Sequence, residues 1–262
     1  MTTSWDDGDP SDIRISELLR GYNLTGTFYV PITGYQGRQI ISTEIIRALS
    51  SEGFEIGGHS VSHQSLPKFG RKQVEHEVRK CKQILEQILG EKVNMFCYPN
   101  GRFNAEVVRE VRDAGYRGAR TTRMLSLGSE FPPFEMPTTL QAYPHAVRSY
   151  LRNLGRARNA SGLWTYMSCF RKTPTWVDLG KRLFDEVLKY GGIWHLYGHS
   201  WEIDELAIWG QLRELLEYVS KREGVTYVTN GHLLPRISAV SRLERSTSTS
   251  ITESRCSVVQ CT

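Results

Sequence analysis

Cysteine is scarce here: five among 262 residues, Cys81, Cys97, Cys169, Cys256 and Cys261. The number is odd and no two form a C-x-x-C pair, which argues against a disulfide framework and against a cysteine-built zinc site. Long apolar runs are missing too. No stretch of about 18 apolar residues occurs, so no integral membrane segment is expected. A basic-then-apolar leader is absent, with acids starting at Asp6, and a cytoplasmic location is the expectation. Charge of one sign is not in large excess: Lys+Arg number 33 against Asp+Glu 28, a net charge of +5. With no recognised nucleic-acid motif, that balance puts nucleic acid last among conceivable partners.

What remains is an ordinary globular composition, 39% hydrophobic and 23% charged, long enough for one large domain with a full core. Residues 1–237 read as that domain. The stretch 238–262, rich in Ser, Thr and Arg and without periodicity, reads as a disordered tail.

Short β-rich runs alternate with helical patterns. Residues 2–5, TGTFYV (25–30), FEIG (54–57), VNMFCY (93–98), IWHLY (193–197) and VTYVT (225–229) read as strands, with a further one after Gly115. Between them, Ser11, Ser42 and Asn104 stand where helix N-caps are expected. Val74, Val78, Cys81, Leu85 and Ile88 recur at helical spacing before Gly90, a C-cap signal. Repeated strand–helix units make a parallel sheet with right-handed crossovers. The fold class expected is α/β: a distorted parallel (β/α) barrel with fewer than eight strands. Its site would lie at the C-terminal strand ends, where the loops converge. An open doubly wound sheet is the fallback.

Polar residues cluster just after these strands. Asp6 and Asp7 follow the first, His59 and His63 the third, Pro99, Asn100 and Gly101 the fourth, and His199 follows IWHLY. Adjacent carboxylates repel unless solvated or beside a cation. His59 and His63 are spaced to face the same way on one helical turn. Two imidazoles and one carboxylate make a facial set for one divalent ion, zinc before cobalt or iron. Beside such an ion the second aspartate stays ionised and can take a proton from water.

In this order, SWDDG (4–8), HSVSH (59–63), TGTFYVP, FEIGGHS and FCYPNG make the sequence resemble the polysaccharide deacetylases of carbohydrate esterase family 4, from residue 2 to about residue 231. The resemblance implies that Asp6 is the general base and that Asp7, His59 and His63 hold the metal. Ser60 would brace their loop. The backbone N–H of Asn100 would bind the developing oxyanion, and His199 rather than His195 would protonate the leaving amine. His195, inside its strand, reads as a packing residue. Tyr98, Pro99 and Trp201 are the candidate substrate contacts. The implied activity is hydrolysis of an N-acetyl group from an amino sugar. A formamide or cyclic imide is the alternative substrate for the same site, and a non-catalytic carbohydrate-binding module is a further rival.

One departure stands out. The family places an arginine two residues before the motif proline, to hold the base carboxylate; here that position is Cys97. RGARTTR offers Arg117, Arg120 and Arg123 downstream, and Arg120 is the expected substitute. Residues 145–182 form a basic insertion: Arg148, Arg152, Arg156, Arg158, Arg171, Lys172, Lys181 and Arg182 stand against Asp178, with Trp164, Tyr166, Phe170 and Trp176 interleaved. One reading is a solvated helical insertion. The other is a lid over an anionic substrate, a nucleotide- or lipid-diphosphate-linked N-acetyl sugar for surface-polysaccharide synthesis, because arginine recognises phosphate bidentately.

Overall fold

Strand β1 (Thr2–Asp6) is an interior strand of a seven-stranded sheet in the computed structural model, which describes residues 1–34, 37–157, 173 and 175–234. Its neighbours are β2 (Thr27–Val30), β3 (Glu55–Gly58), β4 (Met95–Cys97), β5 (Gly118–Arg120), β6 (Leu140–Gln141) and β7 (His195–His199). All pairings are parallel, in the order β5-β4-β3-β2-β1-β7-β6. One stretch joins the two edges of this sheet. Met136 bridges Arg120 of β5, while Thr139 donates its N–H to the His195 carbonyl and Leu140 pairs with β7. The sheet thus curls into a distorted barrel with seven strands.

The crossover helices α1 (Asp12–Gly21), α2 (Thr43–Ser51), α3 (Arg71–Leu89) and α4 (Ala105–Asp113) each bury an apolar stripe against the sheet's outer face. Ser42 and Asn104 cap their helices by accepting from Ile45 N and Val107 N. Gly90 ends α3 in the left-handed conformation, the C-cap geometry that glycine permits. Ser11 does not cap α1: the Asp9 carboxylate accepts the Ser11 N–H instead. Further on come α5 (Val147–Ala157), α6 (Trp176–Tyr190), α7 (Ser200–Glu205) and α8 (Trp209–Val219). No helix among the described residues is long and apolar enough to cross a membrane.

Alternation along β1 sorts its side chains. Thr2, Ser4 and Asp6 meet polar partners: Asn230, His195 of the neighbouring β7, and Arg120 of β5, respectively. Trp5 packs in the main apolar cluster with Phe28, Phe54 and the helix faces. A smaller cluster holds Tyr29, Met95, Cys97 and Met136. The barrel interior is therefore part polar, and its uppermost polar residue is Asp6.

Residues 225–229 do not form the expected strand. Strand β1 is flanked by β2 and β7, so no free edge is left for it. The segment meets the start of the chain through two bonds, the Met1 amino group donating to the Thr226 carbonyl at 2.8 Å and Val228 N to the Met1 carbonyl at 3.0 Å, while the Tyr227 hydroxyl donates to the Val219 carbonyl at 2.7 Å. Within the basic stretch, Trp176 and Lys181 belong to α6, where Trp176 is buried and Lys181 pairs with Glu214 of α8. Arg158, Trp164, Tyr166, Phe170, Arg171, Lys172, the side chain of Arg156 and the tail 238–262 lie outside the described residues.

Candidate active site

Strict alternation would turn Asp7 away from Asp6. Instead Asp7 (φ 79°) and Gly8 (φ 59°) both take left-handed backbone, which breaks the strand and brings two consecutive carboxyls to one rim. A Cβ on Gly8 would sit 3.0 Å from Val30 Cγ1, so position 8 lacks room as well as the right dihedral. Ser60, His63 and Asn100 are also left-handed without being glycine, at φ 65°, 52° and 58°. Such conformations cost free energy and gather where function holds them.

The two histidines do not share a helical turn. Residues 59–63 form a loop, and the left-handed kinks at Ser60 and His63 bring the rings together instead. Their Nε2 atoms are 3.0 Å apart. Asp7 Oδ1 lies 3.0 Å from His63 Nε2 and 3.5 Å from His59 Nε2. His59 Nδ1 donates to the Cys97 carbonyl at 2.8 Å, which leaves Nε2 as the lone-pair nitrogen. The Ser60 hydroxyl accepts the His63 N–H at 3.0 Å, and Glu77 accepts from the Val61 and Ser62 N–H groups. Asp7 Oδ1 is buried without a hydrogen-bond partner. Acceptors facing one another so closely call for a cation, and two nitrogens plus one oxygen suit a divalent ion such as zinc, cobalt or iron.

Asp6 lies beside this set. Cys97 and Arg120 are register partners on β4 and β5. Arg120, fully buried, sets its guanidinium against Asp6 Oδ1, between the rings of Tyr29 and Tyr197 at 5.3 and 4.8 Å. Burial raises the Asp6 pKa, yet Arg120, His59 and His199 outweigh it and keep the carboxyl below its ordinary value. Cys97 Sγ is 3.8 Å from Asp6 Oδ2. Burial is the main influence on this thiol and pushes it upward, so it is neutral.

Opposite stands His199, the register partner of Asp6 on β7 and the last residue of that strand. Its Nε2 is 3.8 Å from Asp6 Oδ2 and its Nδ1 is 2.7 Å from Glu202 Oε2. Burial pulls this imidazole down, but the Glu202 hydrogen bond and the charges of Asp7 and Asp6 raise it to about 9. Gln141 bonds Glu202 and in turn accepts from Tyr197, with His145 at 2.8 Å. Sequence reasoning missed Glu202, although its i+3 spacing from His199 was a signal; nothing in the sequence marked Gln141. His195, by contrast, is buried against Ser4 and the Pro137 carbonyl, and burial lowers it to about 3.

Asp6, Asp7, His59, His63 and His199 line a cleft of about 450 Å³ together with Tyr98, Asn100, Trp201, His145, Ser149, Arg152 and Asn153. Asn153 fastens α5 to the rim, accepting from Met124 N and donating to the Thr122 carbonyl. Tyr98 stacks on Phe103, centroids 4.6 Å apart, and donates to the Phe134 carbonyl. Trp201 turns its indole N–H to Asp7 Oδ2 at 2.9 Å. Pro99 is buried beneath the turn and does not line the cleft.

Residues 1–119 match the family described as polysaccharide deacetylase. Over 105 residues the chain is 29% identical to the peptidoglycan-N-acetylmuramic acid deacetylase PdaA of Bacillus subtilis, covering 40% of this chain and 38% of that protein. It is 27% identical to a peptidoglycan-N-acetylglucosamine deacetylase of Bacillus cereus, covering 45% of this chain and 54% of the other. The matches thus span about half or less of these relatives' lengths. At the level of fold, a Mycobacterium smegmatis structure superposes with TM-score 0.66 at 17% identity, covering 92% of this chain and 91% of its own. The chitin deacetylase of Colletotrichum lindemuthianum superposes with TM-score 0.58 at 15% identity, covering 89% and 86%.

Proposed function

From a chain whose residues 1–119 carry the polysaccharide deacetylase segment, we propose a metal-dependent hydrolase that removes the acetyl group from an N-acetylated amino sugar of a surface-polysaccharide precursor. One observation carries this reading: three acceptor atoms, Asp7 Oδ1 and the Nε2 atoms of His59 and His63, converge beside a carboxylate that Arg120 keeps ionised. A divalent ion held there, zinc by preference, supplies Lewis-acid polarisation of the acetyl carbonyl and acidifies its water.

The residues then divide the work. Asp6, ionised and fixed by Arg120, takes the proton from the attacking water. The N–H of Asn100 faces the oxygen on which charge builds, and one such donor is worth about 100- to 1,000-fold in rate. His199 holds a proton through Glu202 and gives it to the departing nitrogen, which cannot leave as an anion. Water's oxygen ends in acetate and its hydrogens are shared between the products, so the second is a free amine. Arg152 and Ser149, on the cleft wall, suit a precursor whose sugar carries a nucleotide or lipid diphosphate.

The test is acetate release from neutral N-acetylglucosamine oligomers, a nucleotide-linked N-acetylhexosamine and a lipid-linked one, with zinc- or cobalt-loaded and chelator-stripped protein. Metal-dependent acetate is expected, fastest from the phosphate-bearing substrates. No acetate from any of them, with metal bound, sinks the reading and turns attention to formamides and cyclic imides.

A further inference from the structure

Trp201 was expected to touch substrate. Its polar edge is committed elsewhere. The Nε1–H donates to Asp7 Oδ2 at 2.9 Å, while Oδ1 of the same carboxylate faces the two histidines. An indole N–H only donates and cannot itself bind a cation. Its effect is to occupy one oxygen of Asp7 and leave the other for the ion.

The indole is itself held in place. Arg38 stacks over it with the guanidinium carbon 4.0 Å from the ring centroid, and pairs at 2.5 Å with Glu205, at the end of the helix that carries Trp201. The start of that helix is pinned by the Ser200 hydroxyl, which donates to buried Asp12 at 2.6 Å. His199 lies against Trp201, ring centroids 5.5 Å apart. One side chain thus touches both the metal-facing carboxylate and the imidazole proposed as acid.

We infer that Trp201 is a positioning residue for the metal: its N–H restricts Asp7 to one-oxygen ligation and so keeps coordination positions open for water and the acetyl oxygen. This rests on the metal site of the proposed function and concerns binding rather than turnover. Partners of metal ligands of this kind are typically worth about 10- to 100-fold in metal affinity. With the N–H gone, Oδ2 is free to join Oδ1 on the ion, raising its coordination number, or to swing the carboxylate away.

The experiment titrates metal-free protein with Co²⁺ against a chelator of known affinity and records the visible absorption of the bound ion, whose intensity falls as coordination number rises. W201F is expected to bind Co²⁺ about 10- to 100-fold more weakly than wild type, with weaker absorption bands. W201Q, whose amide returns an N–H towards Asp7, is expected to recover part of the loss. Circular dichroism and melting of the metal-free proteins establish that each folds, and W201Q carries the test should W201F not fold. Wild-type affinity and spectrum in W201F overturn the inference. So do equal losses in both variants, which assign the effect to packing. Cobalt bound by wild type without acetate from any sugar counts against the deacetylase reading and leaves this inference standing; no cobalt bound by wild type removes both.

Discussion

Cys97 and Arg120 face each other in register on β4 and β5, and the guanidinium against Asp6 belongs to Arg120. The family pattern expects an arginine at position 97. Here the cation comes from one strand over, on the same layer of the barrel interior, and the thiol fills the space left behind.

That relationship makes a swap informative. Arg120→Ala leaves Asp6 buried without its cation, which typically costs about 3–5 kcal/mol, and activity is expected to fall about 100-fold or more as the base loses its charge and orientation. Combining Arg120→Cys with Cys97→Arg returns a guanidinium to the same carboxylate. Measured kcat/KM should rise in the double variant above Arg120→Cys alone; a double variant no better than the single one counts against the shared-layer argument.

The pH profile of kcat/KM should be bell-shaped. Asp6, held low, must be ionised, so activity falls on the acid side as it protonates. His199 must be protonated, so activity falls as pH rises through about 9. The Glu202 hydrogen bond raises His199, hence Glu202→Gln should move the alkaline limb to lower pH and leave the acid limb in place. An unmoved alkaline limb argues that Glu202 does not set the proton on His199.

His195 and His199 stand four residues apart on β7 and its end but should behave differently. His195→Ala removes the partner of the Ser4 hydroxyl in a buried setting, and such losses cost about 1–3 kcal/mol. Denaturant unfolding should register that loss while the pH profile of the folded variant keeps its shape. A displaced alkaline limb in His195→Ala would mean that the two roles have been exchanged.

Arg152 lines the cleft, and among the described residues no carboxylate pairs with it. For a diphosphate-linked sugar, Arg152→Ala should raise KM about 10-fold, as expected for one charge-assisted contact of roughly 1.5 kcal/mol, with kcat little changed. Neutral oligomers should show no such rise. Equal KM changes for both substrate types would take Arg152 out of substrate recognition.

Much of this molecule was legible in the order of its residues. Alternating strand and helix patterns specify a parallel sheet, because a parallel pair needs a helical crossover and that crossover has one hand. Polar residues placed directly after strands specify one rim, because parallel strands all end on the same side. Hence Asp6, Asp7, His59, His63, Asn100 and His199 could be gathered before any coordinates were known. Tertiary structure decided the rest. Whether Asp7 faces Asp6 or its opposite depends on a left-handed dihedral, and the meeting of His59 with His63 depends on two more, none of which side-chain spacing encodes. Register between β4 and β5 set Arg120 beside Asp6, and the burial of β1 on both flanks denied residues 225–229 a strand partner. Glu202, Gln141 and the inward turn of Trp201 came from the approach of chain segments distant in sequence, where packing, not local pattern, chooses each partner.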